Sequence, residues 1–136
     1  MQCVKAQELV VVADDSVGKL AEISGLLQQQ GINIRAVSAW QAEGKAYFRL
    51  VTSDNGAAEK ALASLGEVSR KEVVLVDMPD EVGKLSEFAG KLGEEGVNIT
   101  HLYGTTSEPG KSAIVVFSSF DNEKAMACLG SNAAGS

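Results

Sequence analysis

The sequence predicts an α+β protein made of two copies of one βαββαβ unit, each an antiparallel sheet with its helices on one face. Three observations support this. First, the chain repeats itself. Asp15-Ser16-Val17-Gly18-Lys19-Leu20 returns in the second half as Asp80-Glu81-Val82-Gly83-Lys84-Leu85. Gly31-Ile32-Asn33-Ile34 returns at the same offset as Gly96-Val97-Asn98-Ile99. A further match, Glu59-Lys60-Ala61-Leu62 with Glu123-Lys124-Ala125-Met126, stands at an offset shorter by one. Second, hydrophobic periodicity switches between strand and helix in the same order in both halves. Third, the composition, 45% hydrophobic and 22% charged, is that of a folded domain.

The elements follow in order. Leu9 to Val12 and Val73 to Val76 are short apolar runs that end at polar residues or Pro, the signature of buried strands. A helix comes next. Val17, Leu20, Ile23 and Leu27 form one apolar stripe, and Val82, Leu85, Phe88 and Leu92 form its counterpart. Gly31 and Gly96 end these helices in the left-handed C′ position. Second strands run from Asn33 to Trp40 and from Asn98 to Thr105. Gly104-Thr105-Thr106-Ser107 reads as a loop. Turns follow at Glu43-Gly44-Lys45 and Glu108-Pro109-Gly110-Lys111. Third strands cover 46–52 and 112–118, and shorter helices cover 57–65 and 122–129, each closed by a Gly, at 66 or 130.

With a fourth strand, β-α-β-β-α becomes the split βαβ, ferredoxin-like plan. The first unit, 1–70, finds its fourth strand at Glu67 to Glu72, which runs without a turn into Val73 to Val76. The second unit, 71–130, has no fourth strand after its last helix, since only a polar tail, 131–136, remains. Gln2 to Ala6 precedes the first strand as Glu67 to Lys71 precedes the fifth. Residues 1–6 are therefore expected to complete the second unit's sheet, within the chain or from a partner chain. Units of about 65 residues are marginal alone, so an interface between them and a homodimer are expected.

Composition also excludes functions. With 12 Lys and Arg against 18 Asp and Glu the chain carries a charge of −6. Nucleic-acid binding draws most of its affinity from cations on phosphates, so an acidic chain without a basic block is a poor candidate, as it is for an anionic membrane surface. No basic and apolar leader stands at the start, and a cytoplasmic location is expected. Two cysteines, Cys3 and Cys128, and one histidine, His101, do not make a zinc set, so no metal and no cofactor are expected. The same poverty of His and of nucleophile–base pairs predicts no catalysis.

A strand, then D-x-x-G-x-L opening a helix, then G-[IV]-N-I opening the next strand, resembles the ACT domain. Two copies in register resemble the small stand-alone tandem ACT proteins, over about residues 8–130. The resemblance implies a non-catalytic regulatory module that binds a small ligand, usually an amino acid, at an interface between ACT units. The motif falls on Asp15, Val17, Gly18 and Asn33 in the first unit and on Asp80, Val82, Gly83 and Asn98 in the second. Many family members have Pro where Val17 and Val82 stand, and amino-acid-binding members often have Asn where Asp15 and Asp80 stand. Some have His two residues earlier, where this chain has Ala13 and Met78.

The chemistry is coherent by itself. Free N–H groups at a helix start favour a carboxylate, Asp accepts hydrogen bonds from an ammonium, and Asn binds either group. If the loop and the strand start lie close, Asp15 and Asn33 meet at one edge. Each residue also has a purely structural reading: Asp15 and Asp80 as N-caps, Gly18 and Gly83 as close-packing positions, Asn33 and Asn98 as turn residues. His101, Trp40 and Tyr103 read as packing residues of the second strands, and Arg35 and Arg49 as charges on the open face, solvated or paired.

Two other functions fit the same order. One is a regulatory subunit of an amino-acid biosynthetic enzyme with no ligand site of its own. The other is an RNA-binding module, suggested only by the aromatic pair Tyr47-Phe48 in the third strand.

Overall fold

The computed structural model describes residues 1–130, the side chain of Ser107 excepted, so the tail expected over 131–136 lies outside the described residues. In chain order the elements are β1 (Gln2–Asp14), α1 (Lys19–Gln29), β2 (Ile34–Ala42), β3 (Lys45–Thr52), α2 (Asn55–Leu62), β4 (Gly66–Pro79), α3 (Lys84–Glu94), β5 (Ile99–Glu108), β6 (Ser112–Ser119) and α4 (Asn122–Cys128). They fall into two compact units. Gln7–Lys71 is the first; Met1–Ala6 together with the chain from Glu72 onward is the second. The fold class is the α+β, ferredoxin-like one that the repeat predicts.

In the first unit the strands are hydrogen-bonded in the order β2-β3-β1-β4. The β1–β3 pairing is antiparallel, with Leu9 opposite Leu50, Val11 opposite Phe48 and Ala13 opposite Ala46. A strand alternates its side chains between faces, so these six point one way. Ile23 and Leu27 of α1 and Ala58 and Leu62 of α2 close over them in one core. In the second unit the order is β1-β4-β6-β5. Val74 opposite Phe117, Val76 opposite Val115 and Met78 opposite Ala113 make the same layer. Phe88 and Leu92 of α3 and Ala125, Met126 and Leu129 at α4 cover it, and Cys3 of β1 joins this core, not the first one. Phe88 meets Phe117 edge-to-face at 5.3 Å, the arrangement aromatic quadrupoles favour.

Both long helices end in the same hydrogen-bonded closure. Ile32 N donates to Leu27 O at 2.9 Å and Gly31 N to Gln28 O at 3.0 Å. Val97 N and Gly96 N repeat this on Leu92 O and Gly93 O at 2.9 and 3.1 Å. This is the Schellman pattern, in which the residue after the glycine packs back on the last helical turn. Ile32 and Leu27 share the first core, and Val97 and Leu92 the second.

Several expectations are corrected. Of each four-residue stripe only the last two, Ile23 with Leu27 and Phe88 with Leu92, are buried. Val17 and Val82 precede their helices and stand fully exposed, and Leu20 and Leu85 are exposed. Gly104 to Ser107 is part of β5, not a loop. Gly66 does not close α2 but opens β4, where a Cβ would collide with the carbonyl oxygen of Val12. The match of Glu59-Lys60-Ala61 with Glu123-Lys124-Ala125 is out of register. The structure pairs Thr52, Asp54, Asn55 and Leu62 with Ser119, Asp121, Asn122 and Leu129, all at one common and longer offset. Thr52 Oγ1 and Ser119 Oγ donate to Asn55 Oδ1 and Asn122 Oδ1, at 2.6 and 2.8 Å. Those asparagines donate in turn to the backbone carbonyls of Gln7 and Glu72, at 3.0 and 3.4 Å.

Two outcomes test this description. Leu27→Ala and Leu92→Ala should each cost about 3 kcal/mol in denaturant melts, while Leu20→Ala and Leu85→Ala should cost under about 0.5. A variant lacking residues 1–5 should lose amide protection at Val74 and Val76 and keep it at Leu9 and Leu50. Equal loss at both sets in hydrogen exchange would contradict the assignment of Cys3 to the second core.

Candidate functional site

The repeated D-x-x-G loop joins the first strand of each unit to its long helix. Its last residue fixes its shape. Gly18 and Gly83 have φ of 87° and 89°, in the left-handed region. A Cβ at either position would meet nothing within 4 Å. The glycine is therefore required for backbone conformation, which corrects the close-packing reading.

That conformation makes Gly18 and Gly83 the N-cap residues of α1 and α3, and neither helix start receives a side-chain cap hydrogen bond. The capping role considered for Asp15 and Asp80 is thereby corrected. Asp80 Oδ2 instead accepts from Gly110 N at 2.7 Å and ties the loop to the β5–β6 turn. Asp15 is exposed. The two short helices are built differently. Asp54 Oδ1 accepts from Ala57 N, and Asp121 Oδ1 from Lys124 N, both at 3.0 Å. These are ordinary caps, and the Asp-Asn pairs that make them escaped the sequence reading. The contrast isolates the loops. Where the fold needs only a helix start, an aspartate closes it. At the repeated loops no side chain caps the helix; the first N–H groups, of Lys19 and Lys84, donate to the backbone carbonyls of Ser16 and Glu81 at 3.3 and 3.2 Å, beside an exposed valine.

The structure does not bring Asn33 to Asp15. Asp14 is opposite Lys45 at one end of β3, while Ile34 is opposite Thr52 at the other. The eight residues of β3 separate them, roughly 25 Å. Asn33 has a local role: its N–H donates to Ser53 Oγ at 2.9 Å, and its carbonyl accepts from Ser53 N at 2.9 Å. Asn98 stands at the equivalent end of the second unit, just before β5, and is exposed.

The loops differ in electrostatics. In the first unit Lys19 Nζ lies 3.3 Å from Asp14 Oδ1 and 3.1 Å from Glu22 Oε1. Hydrogen bonds from Ser16 and then Lys19 hold the Asp14 carboxyl below its ordinary value of 3.8. In the second unit Pro79 occupies the position of Asp14, and Lys84 keeps only Glu87, at 3.5 Å. A cleft of about 290 Å³ opens beside this second loop, lined by Met78, Asp80, Lys84, Leu85, Leu102 and Val115 among others.

Other candidate residues resolve into packing. Trp40 stacks on Tyr47 at 5.4 Å, with the Arg49 guanidinium 5.7 Å over its ring. Arg49 Nη1 donates to the fully buried Glu8 at 2.9 Å. Arg35 is exposed. His101 meets Tyr103 edge-on at 5.6 Å. Phe48 lies in the core, so the third-strand aromatic pair does not present a stacking platform for bases. Among the described residues neither cysteine forms a disulfide, and burial followed by the nearby Glu95 pushes the Cys128 thiol up, which disfavours the reactive thiolate. No group of three or more His, Cys, Asp or Glu among the described residues is arranged to hold a metal ion. No helix among them is long and apolar enough to cross a membrane.

Residues 73–126, most of the second unit, match the ACT domain family. No curated protein matches the chain. Protein BT0572 from Bacteroides thetaiotaomicron is a similar solved structure: 26% identity, 94% of this chain and 88% of that one, TM-score 0.85. The ligand-free regulatory subunit of aspartate kinase from Thermus thermophilus superposes over 93% of this chain and 91% of its own, at 16% identity and a TM-score of 0.65. A structure of aspartokinase alpha and beta subunits covers 95% of each chain at 18% identity, with a TM-score of 0.63. The family match thus covers residues 73–126, and the solved structures share the fold of the chain.

Two measurements test this account. Asp54→Ala and Asp121→Ala should each cost about 1 kcal/mol, while Asp15→Ala should leave the melting temperature unchanged. The Asp14 carboxyl should titrate below 3.8 by NMR. Because its folded value is depressed, its contribution to stability is present above that pH and lost as pH falls through the folded value. The difference in stability between wild type and Asp14→Asn should therefore shrink only in that acid range.

Proposed function

We propose that this protein is a tandem ACT-like regulatory module that binds a small metabolite, an α-amino acid, at its D-x-x-G loops. One observation carries the reading: α1 and α3 begin without side-chain caps, beside fully exposed Val17 and Val82, while α2 and α4 of the same chain are capped by aspartates. A helix start that no side chain caps attracts a carboxylate to its N–H groups. Asp15 and Asp80 stand in the same loops to accept from an ammonium, and Gly18 and Gly83 give the loops their shape. Val17 and Val82 supply apolar contact to ligand or to an apposed copy of the chain. Asn33 and Asn98 lie at the far ends of their units and reach such a ligand only from a second copy, so the proposal includes a homodimer.

Regulation then follows from linkage. A ligand that contacts two copies favours the arrangement in which both contacts are made, and whatever reads that arrangement is coupled to it. The soluble dimer is taken to work in the cytoplasm, on a metabolic enzyme or another partner, and without catalysis of its own.

A thermal-shift screen against the twenty amino acids, with dimer state followed by light scattering, tests the reading. A ligand at 100 times its Kd should add about 2.7 kcal/mol of stability. The shift should be confined to one or a few amino acids. A flat screen would refute the amino-acid sensor and leave the regulatory-subunit reading, in which an enzyme partner completes the function.

A further inference from the structure

The two short helices start alike and differ in the residue that follows their asparagine. In the first unit that residue is Gly56, and Asn55-Gly56 is the one Asn-Gly step of the chain. We propose that Asn55 is a site of spontaneous covalent modification: when the start of α2 opens, the Gly56 nitrogen attacks the Asn55 side chain and turns it into aspartate or isoaspartate, which unlinks α2 from β1 in the first unit alone. This goes beyond the ligand-binding reading and does not depend on it.

The reaction needs only water. The Gly56 backbone nitrogen forms a bond to Asn55 Cγ, and the bond from Cγ to Nδ2 breaks. The proton that the Gly56 nitrogen gives up leaves on ammonia. The five-membered cyclic imide that results adds water at one of its two carbonyls. Opening on one side gives aspartate; opening on the other routes the backbone through the side-chain carbons and gives isoaspartate. No oxidant or reductant takes part. Glycine suits the step, because it has no Cβ to crowd the attacking nitrogen and leaves the backbone free to turn. The other described asparagines, Asn33, Asn98 and Asn122, are followed by Ile34, Ile99 and Glu123, whose side chains crowd it.

The fold holds the reacting atoms apart. Asn55 is the first residue of α2, and ring closure requires its backbone to leave the helical conformation. Its side chain is fixed at both ends: Oδ1 accepts from Thr52 Oγ1 at 2.6 Å, and Nδ2 donates to the Gln7 carbonyl oxygen at 3.0 Å. Asp54 caps the same turn. Modification therefore proceeds through local opening of the helix start, in proportion to the open population. The fold itself does not demand glycine here. Gly56 does not have a positive φ, and a Cβ on it would meet Asp54 Oδ1 at 3.6 Å and Arg70 Nη2 at 3.8 Å, which are ordinary contacts.

The product cannot remake the bridge. A carboxylate has no proton to give the Gln7 carbonyl and sets two acceptors against each other. Isoaspartate also lengthens the backbone in the turn that Asp54 caps. In the second unit Asn122 bridges to the Glu72 carbonyl oxygen at 3.4 Å, and Glu123 behind it preserves that link. The chemistry weakens one copy of a duplicated contact, in one direction, and spares the other.

Peptide mapping by mass spectrometry tests this on the full chain, held folded at mildly alkaline pH. The peptide that contains Asn55 should gain the mass of an exchange of NH for O, with aspartate and isoaspartate separated by chromatography, while Asn33, Asn98 and Asn122 stay unchanged. Asp54→Ala should speed the conversion about fivefold, the extra opening that one lost cap allows. Asp121→Ala, at the equivalent cap of the second unit, should leave the rate at Asn55 unchanged. Gly56→Ala should block the conversion without lowering the melting temperature. Asn55→Asp should speed hydrogen exchange at the Leu62 amide about tenfold, the scale of one carbonyl left unpaired, and leave Val74 as it was. Circular dichroism melts check that each variant is folded, and Gly56→Ala keeps the test decisive if Asp54→Ala does not fold. No conversion at Asn55, equal conversion at the other asparagines, persistence in Gly56→Ala, or equal acceleration by Asp121→Ala would each overturn the proposal.

Discussion

A left-handed residue ahead of each long helix sets both packing and site. With φ near 87° and 89° at Gly18 and Gly83, the chain leaves its strand and enters the helix without a side-chain cap. The helix then lands with Ile23 and Leu27, or Phe88 and Leu92, on the sheet. The same turn places Val17 and Val82 outside the core and leaves the helix start without a side-chain cap. Any L residue at these positions would be strained. A change there disturbs the core and the loop together, which is why the two cannot be treated as separate modules.

The duplicated units have kept their framework and changed their faces. The Schellman closures, the Asp caps and the Asn bridges to the first strand are made by equivalent residues in both. The face away from the helices is not. Glu8 and Arg49 pair there in the first unit, whereas Val73 and Val116, at the equivalent positions of the second, are buried. A buried ion pair contributes little over a well-packed apolar pair, yet breaking it by removing one partner costs about 3–5 kcal/mol. The exchange of one solution for the other needs two coordinated changes, which preserves the difference once made. At the loops the difference is a single residue: Lys19 has two carboxylate partners, Asp14 and Glu22, whereas Lys84 has Glu87 and meets Pro79 where Asp14 stands in the first unit.

The sequence carried the fold because its strongest signals are local. Gly31 and Gly96 mark helix ends by conformation alone. The alternation of Leu9 and Val11, or Val74 and Val76, fixes which face is buried. The internal repeat, in register from Asp15 to Ile34 and from Asp80 to Ile99, fixes the order of elements. The sequence misjudged the apolar stripes, because periodicity cannot say at which turn a helix begins, and Val17 continues the spacing while lying outside the helix. It misaligned the last helices, since Glu-Lys-Ala recurs on helices by composition, whereas the structural equivalence runs through Asp54-Asn55 and Asp121-Asn122. A search for Asp-Asn at strand ends would have found it.

By itself, then, the sequence determined two ferredoxin-like units, their strand and helix order, and the loops in which ligand-binding residue types recur. These follow from local conformation and from alternation, which neighbours in the chain decide. Only tertiary structure decided that Cys3 belongs to the core of the second unit, that Asn33 stands at the opposite end from Asp15, and that Lys19 is held by two carboxylates while Lys84 is held by one. Each depends on residues far apart in sequence being brought to one place, or kept from it, by the antiparallel register of the sheet. A duplication copies the motif into both units. The register and the side chains around it decide what each copy can bind.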